Sequence, residues 1–250
     1  MHDLPSYPSI GVQTLPLITQ LLLGRPRSFR QDAKRLIQQV QPAPKILGSP
    51  PRGSARGLVL AVNHYYRPGF GAWWIALSIA SAVPVEMHWI MTSAWVYPDR
   101  FRSWTVTPLS RWALARIAYC YGFTSAPPMP PRPHEHAARA AALRKLLRTL
   151  DHIPSPVLGI APEGSDSGDG NLSPPPDGVG HLFLHLQQRK MQFCPVGVYE
   201  EDGCLVTHFG QVLELGALTR DDRVSREAIL EKVMHGIAAC LPPALRGCYK

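Results

Sequence analysis

Short apolar runs bounded by glycine, proline and asparagine recur along the chain, alternating with segments whose apolar residues fall at helical spacing. The clearest run, Leu58-Val59-Leu60-Ala61-Val62, follows a glycine-containing loop and stops at Asn63. A run of that length, rich in branched side chains, predicts a strand buried on both faces. Pro68-Gly69 then opens a helix over Ala72–Ala82, and Val85–Met91 reads as the next strand. Over 134–150, Leu143, Leu146, Leu147 and Leu150 repeat at helical spacing, with Arg139, Arg144, Lys145 and Arg148 elsewhere on the surface. Val157–Ala161 predicts a strand that runs straight into Pro162-Glu163-Gly164, and residues 164–178, mainly Gly, Ser, Asp and Pro, form a loop. Beyond it come a helix over Gly178–Lys190, strands over Gln192–Tyr199 and Leu205–Leu215, and an amphipathic helix over Arg226–Leu241. Such alternation predicts an α/β fold, a mixed, largely parallel sheet flanked by helices. No repeat and no long linker divides it, so residues 51–250 read as one α/β domain behind an N-terminal helical segment, 1–50.

That first segment carries its own pattern. Residues 10–23 are mostly apolar but broken by Gly11, Gln13, Thr14, Pro16, Thr19 and Gln20, and a basic tract (Arg25, Arg27, Arg30, Lys34, Arg35) follows at once. This fits an in-plane membrane anchor or a helical pair packed on the domain. All six tryptophans lie between Trp73 and Trp112, the last of them interleaved with Arg100, Arg102, Arg111 and Arg116. Contact with a membrane or an acyl chain, and burial in the core, both account for them. No stretch reaches the ~18 apolar residues of a bilayer span. Met1-His2-Asp3 lacks the basic start of a secretory signal. The expectation is a cytoplasmic protein, peripheral on the inner face of a membrane.

Composition narrows the chemistry. With 45% apolar and 18% charged residues the chain is globular, and its 26 prolines fall largely in clusters that read as loops. Five scattered cysteines, never in a CxxC pair, argue against a disulfide framework or a zinc site and suit a reducing compartment. The net charge of +8 calls for an acidic partner: nucleic acid, anionic lipid or a phosphorylated small molecule. Nucleic acid is set aside because no binding motif occurs and the basic residues are dispersed. Gly164-Ser165-Asp166-Ser167-Gly168 carries aspartate where a hydrolase elbow needs its nucleophile, and residues 166–171 lack the alternating spacing of a calcium loop. His134-Glu135-His136 cannot place both histidines on one helix face. No metal is expected.

Ligands of an open α/β sheet gather at the carboxyl ends of its strands. Two such ends carry reactive residues, Asn63-His64 and Pro162-Glu163-Gly164-Ser165. Asn63-His64 resembles the first motif of the glycerolipid acyltransferases. Ala161-Pro162-Glu163-Gly164-Ser165-Asp166-Ser167, continuing to Asp169-Gly170, resembles their phosphate-site motif, roughly F-P-E-G-T-R-S. Phe193-Cys194-Pro195-Val196-Gly197-Val198 is similar to their fourth block, and the resemblance covers roughly residues 55–215. It implies a glycerol-3-phosphate acyltransferase-like fold. It also implies His64 as general base, drawing a proton from a hydroxyl that attacks an acyl thioester, and Glu163 as the second catalytic residue, its turn with Gly164 positioning the second substrate or stabilising developing charge. Asn63, Arg67, Gly164, Ser165 and Asp166 would form the substrate-binding set. No cofactor is implied; acyl-CoA or acyl-carrier protein would be co-substrate, and the acceptor a lipid-like alcohol. The chain departs from the pattern in three places. Gly69 stands where the family carries an aspartate five positions after its histidine, and Asp166 replaces an arginine. Gly122-Phe123-Thr124 leads into prolines, with Arg132 a distant candidate for the arginine of the second motif. Either a neighbouring carboxylate (Glu163, Asp166 or Asp169) orients His64, or the cleft binds lipid without catalysis.

Overall fold

A computed structural model describes residues 4–8, 15–129, 132–165, 167–216 and 221–250. In chain order its α-helices are α1 (Leu15–Leu23), α2 (Phe29–Ile37), α3 (Trp73–Ala82), α4 (Arg100–Tyr121), α5 (His136–Asp151), α6 (Val179–Gln188) and α7 (Asp222–Ala239). Its strands are β1 (Lys45–Leu47), β2 (Leu58–Val62), β3 (His88–Thr92), β4 (Thr124–Ala126), β5 (Val157–Ile160), β6 (Gln192–Glu201) and β7 (Cys204–Phe209). The chain forms two compact units: Met1–Pro8, Arg30–Met87 and Pro154–Lys250 make one, Ser9–Phe29 and His88–Ile153 the other. The division expected at residue 50 therefore does not coincide with the observed boundaries. One reason is that β1, at 45–47, pairs with β7 and so belongs to the first unit's sheet.

In the first unit the strand order is β1-β7-β6-β2-β5. Every pairing is parallel except β6 with β7. This is the mixed, largely parallel sheet with helices that the alternation predicts. β2 lies between β5 and β6, and all five of its residues are sealed from solvent, as its uninterrupted apolar run requires. α6 packs on α7, and α7 crosses β6 and β2. A Cβ at Gly197 would stand 2.3 Å from the Cys240 carbonyl oxygen, so only glycine lets the end of α7 approach β6 this closely. β7 ends at Phe209, well before the expected Leu215: Gly210 donates its N–H to Pro195 O (2.9 Å), and Leu213 makes an isolated bridge to Phe193.

The second unit holds the parallel pair β3 and β4, with α5 against β4 and α1 against α4. β3 starts at His88 rather than at Val85, whose side chain is exposed. Phe29 packs edge-on against Tyr121 and Phe123, whose own rings are tilted by 30° to each other. His88 is buried and its Nε2 is 2.8 Å from Thr124 Oγ1; burial, and then the charge of Lys145, push its pKa down to about 4. α4 is not legible as a helix in the sequence, yet it is sharply delimited. Asp99 caps it by accepting from Arg102 N–H (2.8 Å), and Gly122, at φ 69°, closes it in the left-handed conformation that glycine adopts without penalty. The apolar stretch 10–23 falls partly outside the described residues; the rest of it is α1. Among the described residues no helix is long and apolar enough to cross a membrane.

Candidate active site

Parallel pairing of β2 with β5 aligns Leu58 with Val157 and Ala61 with Ile160. Carried past the strand ends, that register sets His64 opposite Glu163, and the two meet: the His64 N–H donates to Glu163 Oε1 at 2.5 Å. The second carboxylate oxygen accepts from the N–H (2.8 Å) and hydroxyl (3.0 Å) of Ser173. Glu163 is itself buried. A buried carboxylate is tolerated when several donors compensate it, and here three do. In the named bonds Glu163 thus addresses the main chain of His64 rather than its ring. The imidazole is partly exposed, with Nδ1 shielded from solvent.

Asn63 is buried, and both ends of its amide are engaged. Nδ2 donates to Val198 O (2.9 Å), and Oδ1 accepts from Val198 N–H (2.7 Å). The side chain so extends the β2–β6 ladder beyond the point where the backbone leaves it, and fixes the exit of the chain into His64. Pro162-Glu163 forms the centre of a turn closed by Gly164 N–H to Ala161 O (3.1 Å), with Gly164 at φ 74°. Gly164 and Ser165 are exposed at its rim. Asp166 lies outside the described residues. Asp169 is held within its own loop: its carboxylate accepts from Asn171 N–H (3.0 Å) and Nδ2 (2.9 Å). Its pKa is drawn down to about 2, first by the Ser167 hydroxyl and then by Asn171. The loop presses closely on the first motif, since a Cβ at Gly170 would stand 2.6 Å from Tyr66 O. From the other side Leu172 N–H reaches Leu245 O (2.9 Å), and Tyr249 is close enough for the Glu163 charge to add to its raised pKa, about 12, after burial and Cys248.

Arg67 lies beside the same exit. Its Nε and Nη2 grip the two oxygens of Glu200, the second at 2.8 Å, while Nη1 donates to Pro68 O (2.9 Å). Glu200 also accepts from Tyr7 (2.6 Å) and Tyr65 (3.4 Å) hydroxyls. Burial, then the Glu200 charge, pushes the Tyr65 phenol up to about 12. Arg67 thus braces the β6 end, and its guanidinium is occupied by protein groups. Gly69 is the third residue of an Arg67–Phe70 turn (Phe70 N–H to Arg67 O, 3.0 Å) at φ 81°, a position that suits glycine. Among the described residues no three His, Cys, Asp or Glu side chains gather as a metal site would require. Two site residues went unread in the sequence, Ser173 and Glu200. Neither carries a local signal, for Ser173 sits in a proline-rich loop and Glu200 is 133 positions from Arg67.

No family model and no curated protein matches the chain. Among solved structures it is similar to the 1-acyl-sn-glycerophosphate (LPA) acyltransferase PlsC from Thermotoga maritima. The identity is 12% and the TM-score 0.49, over 92% of this chain and 84% of that one.

Proposed function

We propose that the chain transfers an acyl group from a thioester, acyl-CoA or acyl-carrier protein, to the hydroxyl of a glycerolipid or related lipid-like alcohol, with His64 as general base. The observation that carries the reading is the bond from His64 N–H to Glu163 Oε1, which joins the ends of two adjacent parallel strands and sets a partly exposed imidazole at the sheet's carboxyl edge. In this reading an imidazole nitrogen takes the proton of the acceptor hydroxyl as its oxygen attacks the thioester carbonyl. The tetrahedral oxyanion then collapses, the C–S bond breaks, and the thiolate leaves with the proton returned from the imidazolium. Glu163 acts as a positioning residue, and the exposed rim at Gly164 and Ser165 is the nearest ground for the substrates.

The test is thiol release from acyl-CoA across a panel of lysophospholipids and simple alcohols. His64→Ala should lower turnover by roughly 10²–10⁴-fold, the usual worth of a general base. Unchanged turnover in a folded variant removes His64 from the chemistry. A lipid-binding cleft without transfer is favoured by one observation of its own, the glycine at φ 81° where the family carries its acid. That reading predicts acyl-chain binding with no thiol release for any acceptor. We place the protein on the inner, cytoplasmic face of a membrane, as the basic composition and aromatic surface suggest.

A further inference from the structure

α4 is apolar on two opposite sides. Ser110, Leu114 and Ala118 are buried on one. On the other, Phe101, Trp104, Trp112 and Tyr119 follow one another at intervals of three, eight and seven residues, which are close to one, two and two helical turns. They form a single stripe about 27 Å long at 1.5 Å per residue. Its members are strongly exposed: Trp104 by 82%, Phe101 by 75%, Tyr119 by 66%. Trp112 and Leu109 are exposed beside them. α1 packs against α4 and adds exposed Leu22 and Leu23 to the surface of this unit. An aromatic stripe of this size is far more than the scattered apolar residues a soluble surface carries.

The rim of the stripe is of one sign. α4 contains Arg100, Arg102, Arg111 and Arg116 and no acidic residue. At 100° per residue, Arg100 and Arg111 fall along one edge of the stripe and Arg102 and Arg116 along the other. Arg102 is bonded to the capping Asp99 (2.6 Å), and the Arg116 guanidinium packs at Gly24, which leaves exposed Arg100 and Arg111 as the outward charges. Tryptophan and tyrosine favour the headgroup boundary of a bilayer, and arginine pairs with phosphate. A second copy of the chain would bring arginine-lined edges against each other with no acid on either helix. We infer that this stripe docks on an anionic phospholipid bilayer, with α4 lying in the headgroup plane. The inference deepens the membrane placement proposed above, but it is separable from acyl transfer, since it rests on the second unit and not on His64.

The test is cosedimentation with vesicles of phosphatidylcholine alone and of phosphatidylcholine mixed with phosphatidylglycerol. The protein should partition onto the mixed vesicles and come off as salt shortens the Debye length to about 3 Å. The triple variant Phe101→Ser/Trp104→Ser/Trp112→Ser should lose on the order of a hundred-fold in partitioning with its thermal melt retained. Arg100→Glu/Arg111→Glu, which disturbs no buried group, should lose roughly ten-fold or more on the mixed vesicles alone. His64→Ala should bind vesicles like the parent, so failed catalysis and failed docking separate. The inference is overturned if the parent protein ignores both vesicles, if both variants bind as it does, or if lipid-free protein is a dimer that the triple variant dissolves.

Discussion

Replacing Glu163 by glutamine keeps the side chain's size and removes its charge at the point where three donors converge. The carboxylate accepts from His64 N–H through one oxygen and from the N–H and hydroxyl of Ser173 through the other. A glutamine amide can accept at one of those sites only. With its oxygen toward His64, its NH2 faces the Ser173 N–H; the serine hydroxyl can rotate to accept, but the backbone donor cannot. The loss is one charge-assisted bond, about 1.5–3 kcal/mol, together with a buried donor left without an acceptor, about 1–3 kcal/mol. Ser173 is partly exposed and its loop can relax, so the net cost is about 2–4 kcal/mol. Glu163→Ala removes both acceptors and should cost more. At about 3 °C per kcal/mol for a chain of this length, Glu163→Gln lowers Tm by about 6–12 °C. Circular dichroism melts and urea unfolding at unchanged m-value measure it, and amide exchange adds a local readout: the His64 or the Ser173 N–H should lose protection. A glutamine variant within about 0.5 kcal/mol of the parent, with both amides still protected, would refute the idea that this carboxylate clamps the two motifs together.

Asn63→Ala should cost about 2–4 kcal/mol in urea unfolding, because it strips both polar groups of buried Val198 of their partners; a cost below ~0.5 kcal/mol would show that the amide does not extend the ladder. Gly69→Asp should lower Tm and not raise thiol release, since φ 81° disfavours a residue with a Cβ and costs about 1–2 kcal/mol; a rise in thiol release at unchanged Tm would contradict this. His88, held at a pKa of about 4 in the folded protein against about 6.5 unfolded, binds fewer protons folded than unfolded between those values. Its contribution is therefore present above pH 6.5 and lost as pH falls toward 4, about 3 kcal/mol in all. Comparing the pH dependence of stability with that of His88→Gln should isolate this difference, and parallel curves would rule it out.

Apolar character on both faces made β2 and β5 legible, because a strand buried throughout has no polar positions to confuse the reading. The same property hid α4. With apolar side chains on its buried and its exposed sides, and Pro108 within it, the helix shows no single-faced period. β1, wholly exposed, and β4, three residues long, exist through the strands they pair with and not through any pattern of their own. The site divides in the same way. Positions at strand ends could be read from where the apolar runs stop, whereas Ser173 and Glu200 are set by tertiary register alone.

The two motifs, so read, mark a frame more than a set of reacting groups. Asn63 and Glu163 both direct their side chains at backbone groups of other segments, Val198 in one case and His64 and Ser173 in the other. Arg67 is bound to Glu200, and Asp169 to its own loop. Of the described residues in the two motifs, His64 is the one that combines partial exposure with an imidazole side chain. A frame that fixes the main chain on both sides of one imidazole is what a general base needs, because a proton can be taken efficiently only by a group held at hydrogen-bond distance from the attacking hydroxyl. If His64 is the base proposed above, deleting its ring should abolish turnover and leave the fold, whereas deleting the Asn63 or Glu163 side chain removes the frame, and stability and activity should then fall together.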